Sequence, residues 1–183
     1  MNRRKALMLT STIVGGTIIG SDFFLSGCTP EVKNDVLFSN TDIAFLDEVG
    51  ETILPDSNLS PGAKVAKIGS FMVTIVSDCY NQKEQAIFKK GISELDQMAN
   101  KSYSSGFLGL DQKQKHDLLV LLDNEAKSIP ENGPLHYFSM MKQLTIWGYF
   151  TSEPGATKAL RYIPIPGYFK GCIPYNKGDK AWA

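Results

Sequence analysis

Among the residues whose chemistry could be put to use, Cys28 has the most telling surroundings. It closes the run Leu25-Ser26-Gly27-Cys28 behind a basic and apolar leader. Small residues ahead of a cysteine in that position have the form of a bacterial lipoprotein processing site, where the thiol takes a diacylglycerol and cleavage makes Cys28 the new N-terminus. Each buried lipid methylene contributes roughly 0.8 kcal/mol, so two or three acyl chains hold a domain on a bilayer. The plainer alternative is a cysteine that follows an ordinary signal by chance. Two further cysteines, Cys79 and Cys172, are expected in a compartment where disulfides persist. A bridge between them would close a loop of about 90 residues and stabilise by roughly 4 to 5 kcal/mol. Two buried free thiols, or a bridge from one of them to another protein, are the alternatives, because geometry decides whether two cysteines can meet.

The remaining reactive side chains form no recognisable constellation. His116 and His136 stand at no metal-ligand spacing with a second His or Cys, and neither His-Glu-x-x-His nor Cys-x-x-Cys occurs. No Gly-x-Gly-x-x-Gly follows a strand; Gly106-x-x-Gly109 is too short for a dinucleotide site. Ser152-Glu153 and Asp78-Cys79 could be read as catalytic pairs, but no third group to orient them is evident. No catalytic, metal or cofactor-binding residue is therefore assigned, and activity by this chain alone is disfavoured. Nucleic acid is disfavoured as a partner too, since 19 basic residues balance 19 acidic ones without a basic cluster.

The leader itself reads as an export signal over residues 1–27. Arg3, Arg4 and Lys5 precede a mildly apolar run from Ala6 to Ile19. Thr, Ser and Gly dilute that run too much for a membrane span, which needs about 18 to 20 apolar residues. The adjacent arginines Arg3 and Arg4 suggest the twin-arginine route, which carries folded proteins. A general secretory signal that happens to contain two arginines is the competing reading, because Ala6 and Met8 depart from the usual pattern. Both place the protein in the cell envelope, facing the periplasm, with residues 28–38 as a polar tether.

Residues 39–150 are expected to form an all-α domain of five helices. Ser39, Asn40 and Thr41 offer caps for a first helix whose apolar positions are Ile43, Leu46, Val49, Gly50 and Ile53, ended by Pro55. A second is expected from about Ala63 to Tyr80, with Val65, Ile68, Met72, Ile75, Val76 and Cys79 on its apolar face. A third opens at Asn81 with a capping box to Glu84, buries Phe88, Ile92, Leu95 and Ala99, and fades at Asn100-Lys101-Ser102. Phe107 and Leu108 are apolar plugs in the loop that follows. A fourth opens at Asp111 with Gln114 and stacks Leu118, Leu119, Leu122 and Ala126. Pro134 suits the first turn of a fifth, which carries Leu135, Phe138, Met141, Leu144 and Thr145. Strand-type alternation is scarce.

From Thr151 the composition changes. Residues 151–183 hold Pro154, Pro164, Pro166 and Pro174 with several glycines, so an irregular arm is expected rather than helix. The arm also carries Tyr162, Tyr168, Phe169, Tyr175 and Trp182, and disordered tails are poor in aromatics. It is expected to lie against a surface, either the chain's own helices or another protein. A signal for folded export on a passenger without a cofactor site points to a second, cofactor-loaded protein carried as cargo, with the arm as the grip.

The helix end Glu51-Thr52-Ile53-Leu54-Pro55 before Pro61-Gly62-Ala63, the Asp78-Cys79 pair, and Phe107-Leu108 ahead of Asp111 form a pattern with a later block. That block is Gly148-Tyr149-Phe150-Thr151-Ser152-Glu153-x-Gly155, followed by Pro166-Gly167 and Gly171-Cys172. Together they resemble the gluconate 2-dehydrogenase subunit 3 family, over about residues 39–183. The resemblance implies a small noncatalytic subunit of a membrane-associated, flavin-dependent sugar or polyol dehydrogenase. FAD would sit in a large subunit of the glucose-methanol-choline type, and a c-type cytochrome would take the electrons. The small subunit would supply the export signal, stabilise the large one and, through Cys28, tether it to the membrane. Tyr149, Phe150, Ser152, Glu153, Gly155, Tyr162 and Tyr168 would meet the flavoprotein. The alternatives are a self-sufficient periplasmic lipoprotein, binding a ligand or using His116 or His136 as a hydrolase, and an envelope structural protein without a redox partner.

Overall fold

A computed structural model of the chain describes residues 37–183, apart from residues 131, 166 and 169. The export signal with Arg3 and Arg4, the lipidation candidate Cys28 and most of the tether lie outside the described residues. The described part is all-α: α1 (Asn40–Ile53), α2 (Ile68–Cys79), α3 (Gln82–Tyr103), α4 (Gln112–Ser128) and α5 (Tyr137–Thr151). Short 3-10 turns at Ala63–Ala66 and Phe107–Gly109 join them, and a π-helical turn at Gly155–Ala159 follows α5. Among the described residues no helix is long and apolar enough to cross a membrane.

Three helices start on reciprocal caps, in which the side chain before the helix and the one three residues later each accept from the other's backbone N–H. Ser39 and Asp42 do this for α1, Asn81 and Glu84 for α3, and Asp111 and Gln114 for α4. The cap at Ser39 starts α1 three residues ahead of its first apolar position, Ile43.

α2 breaks the expectation of one helix from Ala63 to Tyr80. Lys67 takes a left-handed conformation, φ 54°, which separates the 3-10 turn from the helix. Val65, expected on the apolar face, is thereby 64% exposed. Both starts are capped from a distance: Asp47 of α1 accepts the Gly69 N–H of α2 at 2.7 Å, and Glu51 accepts the Lys64 N–H of the 3-10 turn at 2.8 Å. Gly69 packs so close that a Cβ there would stand 2.2 Å from the carbonyl oxygen of Ile43. Cys79 is also corrected: its helical phase matches Ile68 and Met72, but the core ends at Val76, so the last residue of the helix is exposed. Cys172 is exposed as well, and both thiols are free, so the expected Cys79–Cys172 bridge is not formed.

Further along, α3 runs on to Tyr103 and stops at Ser104, φ 55°, past the point where it was expected to fade. Phe107 enters the core against Phe45, with ring centroids 5.2 Å apart, whereas Leu108 stays exposed. α5 begins at Tyr137, leaving Pro134 and an exposed Leu135 outside it, because His136 provides the cap. Its Nδ1 accepts the Phe138 N–H at 3.2 Å.

α5, like α1, touches each of the other four helices. Its Tyr137, Phe138, Met140, Met141, Leu144 and Tyr149 are all buried, against Leu46, Met72, Phe88, Leu95, Leu118 and Leu122 of its neighbours. Each such side chain stabilises by roughly 1.5 to 3 kcal/mol. Gly91 lets α3 approach Tyr137, and Gly148 lets α2 bring in Phe71.

Candidate functional site

The end of α5 carries the block Tyr149-Phe150-Thr151-Ser152-Glu153-x-Gly155, and hydrogen bonding explains much of it. The Tyr149 hydroxyl donates to the carbonyl of Pro61 at 2.5 Å and so ties the helix end to the loop after α1. Ser152 Oγ donates to the Tyr149 carbonyl at 2.6 Å and accepts the Gly155 N–H at 3.3 Å. Those bonds satisfy groups that a helix end leaves open. Gly155 sits directly over Tyr149, where a Cβ would come within 1.8 Å of the Tyr149 carbonyl oxygen. Thus two residues expected at a partner surface, Tyr149 and Gly155, are buried parts of the fold. Phe150 is half-buried and edge-on to Tyr149, Ser152 is half-buried in the turn, and Glu153 is exposed.

Replacing Tyr149 by phenylalanine is expected to cost about 1 to 2 kcal/mol, the range for a bond whose loss leaves a partner unsatisfied. Chemical denaturation checks this. An interface role alone would leave the free chain's stability unchanged.

The outward side of α5 is apolar where a solvent-facing stripe would ordinarily be polar. Ile146 and Trp147 are exposed, and the Trp147 ring meets Phe71 of α2 edge-on at 5.5 Å. Neither residue stands out from the core positions by sequence. The available signal was that α5 is apolar nearly all round, which one buried face does not require.

After the π-helical turn the chain leaves the helices. Every described residue from Arg161 to Ala183 is exposed, including Tyr162 and the 76%-exposed Tyr168. Of the arm expected over residues 151–183, the first ten residues pack on the end of α5 through Gly155 and Ala159, whereas the described residues of 161–183 do not lie on the helical core. They close on themselves instead: Arg161 N–H donates to the Ala181 carbonyl at 2.8 Å, and Ala183 N–H donates to the Arg161 carbonyl at 3.2 Å. The Arg161 guanidinium stacks 4.4 Å from the centre of the Trp182 ring.

The polar clusters elsewhere are occupied with structure. Glu48 accepts from Lys115 at 2.8 Å and Lys64 at 2.6 Å, joining α1, α4 and the first 3-10 turn. These two lysines hold its carboxyl below the usual carboxylate range, with Lys115 the stronger cause and burial opposing. A neighbouring hollow of about 170 Å³ touches Glu48, Glu51, Gln112 and His116, yet Glu51 is engaged with the backbone N–H groups of Asp56 and Lys64. His116 is exposed, with the Asp117 carboxylate 3.6 Å away, and His136 is a helix cap. Asp78 and Cys79 are both exposed at the end of α2. Among the described residues, no three His, Cys, Asp or Glu side chains gather as for a metal ion.

Comparison with known protein families finds one match, to the model described as gluconate 2-dehydrogenase subunit 3, over residues 40–167. The chain belongs to this family. The match spans α1 to α5, the helix-end block and the first part of the arm, stopping short of Tyr168. Searches of curated proteins and of solved structures found no match. By its description the gluconate 2-dehydrogenase subunit 3 family supplies subunits of a multi-subunit dehydrogenase.

Proposed function

We propose that the chain is a noncatalytic accessory subunit of a gluconate 2-dehydrogenase-type complex, which exports, matures and tethers a flavin-containing large subunit. The observation that carries this reading is the arm. A family member whose final segment keeps Tyr162, Tyr168, Tyr175 and Trp182 exposed holds large apolar area available for a second protein. Aromatic side chains with few rotatable bonds are the usual anchors of such contacts. Phe150, Glu153, Tyr162 and Tyr168 belong to the grip, extended by Ile146 and Trp147. Tyr149, Ser152 and Gly155 fix the helix end from which the arm departs.

In this reading the large subunit is of the glucose-methanol-choline type and carries the FAD, and a c-type cytochrome takes the electrons. Arg3 and Arg4 take the pair through the folded-protein route, and the lipid on Cys28 replaces a membrane-spanning anchor. Deleting the chain from its native cell should strand the flavoprotein in the cytoplasm, and R3K/R4K should do the same to both proteins. C28S should leave both exported but move them from the membrane to the soluble fraction. Normal export and membrane attachment of the flavoprotein in the deletion strain would contradict the proposal.

A further inference from the structure

The arm has a charge the helices lack. Residues 161–183 contain Arg161, Lys170, Lys177 and Lys180 against Asp179 alone, whereas acidic residues outnumber lysines over 37–160, where there is no arginine. The two parts also differ in how that charge is used. Six of the eleven lysines over residues 37–160, Lys64, Lys89, Lys90, Lys115, Lys127 and Lys142, are paired with carboxylates. None of the four arm cations meets a carboxylate among the described residues, although Lys180 donates to the carbonyl of Lys158. Asp179 instead accepts the Asn176 N–H at 2.9 Å.

Two of these cations, Arg161 and Lys170, line a hollow, and Lys177 and Lys180 lie on the same arm outside it. The loop tied at Arg161 and Trp182 borders a cleft of about 960 Å³, whose walls include Ile163, Tyr168, Lys170, Ile173 and Asp179 as well as the two residues of the tie, so that two cations face one carboxylate there. A guanidinium stacked on an aromatic face keeps its N–H edge for a carboxylate. The surrounding isoleucine and tyrosine favour an apolar side chain beside that carboxylate.

We infer that residues 161–183 are a clasp for an acidic, apolar segment on the flavoprotein subunit. The clasp, more than the helical body, sets which flavoprotein the chain accepts. The inference rests on the accessory-subunit reading and deepens it by naming the partner's surface chemistry. Lys170, Lys177 and Lys180 lie beyond the family match, which ends at residue 167, so the charge belongs to the part in which this chain is free to differ. Concavity favours a protein segment over a bilayer: a lipid surface meets protruding side chains, whereas a cleft is filled by side chains that enter it.

The test is binding of the full chain to the flavoprotein that co-purifies with it. In roughly 0.1 M salt, K170E/K177E/K180E should weaken binding by about tenfold, mostly through slower association. In about 1 M salt, where the screening length falls to about 3 Å, the difference should vanish. W182A opens the tie and should weaken binding at both salt concentrations. Thermal unfolding of all variants should match the parent, because the arm places no described side chain in the core. Equal affinity of the charge-reversed and parent chains would overturn the clasp while leaving the accessory role standing. Failure of the parent chain to bind the flavoprotein at any salt would remove both. Loss of binding to phosphatidylglycerol vesicles with flavoprotein binding intact would make the occupant a lipid surface, and would also overturn the clasp.

Discussion

Replacing Gly155 by alanine should destabilise the fold by about 3 kcal/mol, the upper part of the usual range for overpacking. The new methyl carbon would lie 1.8 Å from the carbonyl oxygen of Tyr149, 2.6 Å from its carbonyl carbon and 3.1 Å from the Cα of Phe150. All three are backbone atoms of α5, so no side chain can swing aside. The π-helical turn must lift off the helix end, and the bonds among Ser152, Tyr149 and Gly155 go with it. Since the arm starts from that turn, weaker flavoprotein binding should accompany the loss of stability. Urea titration measures the first effect and co-purification the second. A Gly155→Ala chain that unfolds with its parent would contradict this close packing of the turn on the helix end.

The second large effect concerns Glu48. Its replacement by glutamine should cost about 3 kcal/mol, because the Lys115 side chain, 8% exposed, would keep its charge in a mostly buried site without an acid. Replacing both members together, E48L/K115M, should fall within about 1 kcal/mol of the parent, since well-packed apolar side chains substitute for buried pairs at little cost. A double variant as weak as E48Q would show that the pair matters through more than mutual compensation.

The same carboxyl sets a pH dependence. Lys115, then Lys64, lower its pKa from the ordinary 4.5, so its contribution is present above about that pH and is lost as pH falls through the folded-state value. Asp123, held down by Lys127 and then Lys142 from 3.8, adds a loss in the same direction further into acid. Stability should therefore decline on acidification below about pH 4.5, and E48Q should lack the earlier part of the decline.

How much of this was legible depended on how local each cause is. The boxes Asn81 to Glu84 and Asp111 to Gln114 lie within one turn, so the starts of α3 and α4 could be read from letters alone. The stripes Phe88-Ile92-Leu95-Ala99 and Leu118-Leu119-Leu122 were equally plain. The break at Lys67 was not, because it is held by Asp47 and Glu51, respectively 22 and 13 residues before the amides they accept from. The start of α5 was misplaced because proline is common in a first helical turn, while the His136 ring did the capping. At the candidate surface the opposite error occurred. Tyr149 and Gly155 stood in the most specific part of the pattern and were assigned to a partner, although the contacts behind that pattern lie inside the chain. Ile146 and Trp147 were passed over because an apolar helix reads as core from every side.

The most direct measurement is the absorbance spectrum of material purified from native membranes through a tag on this chain, before and after the complex is taken apart. The expected result is that flavin absorbance and a second, larger polypeptide elute with the chain, and that the flavin leaves with that polypeptide, the isolated chain being colourless. Flavin retained by the isolated chain, or a chain that emerges from its membrane with no flavoprotein, would contradict its role as an escort.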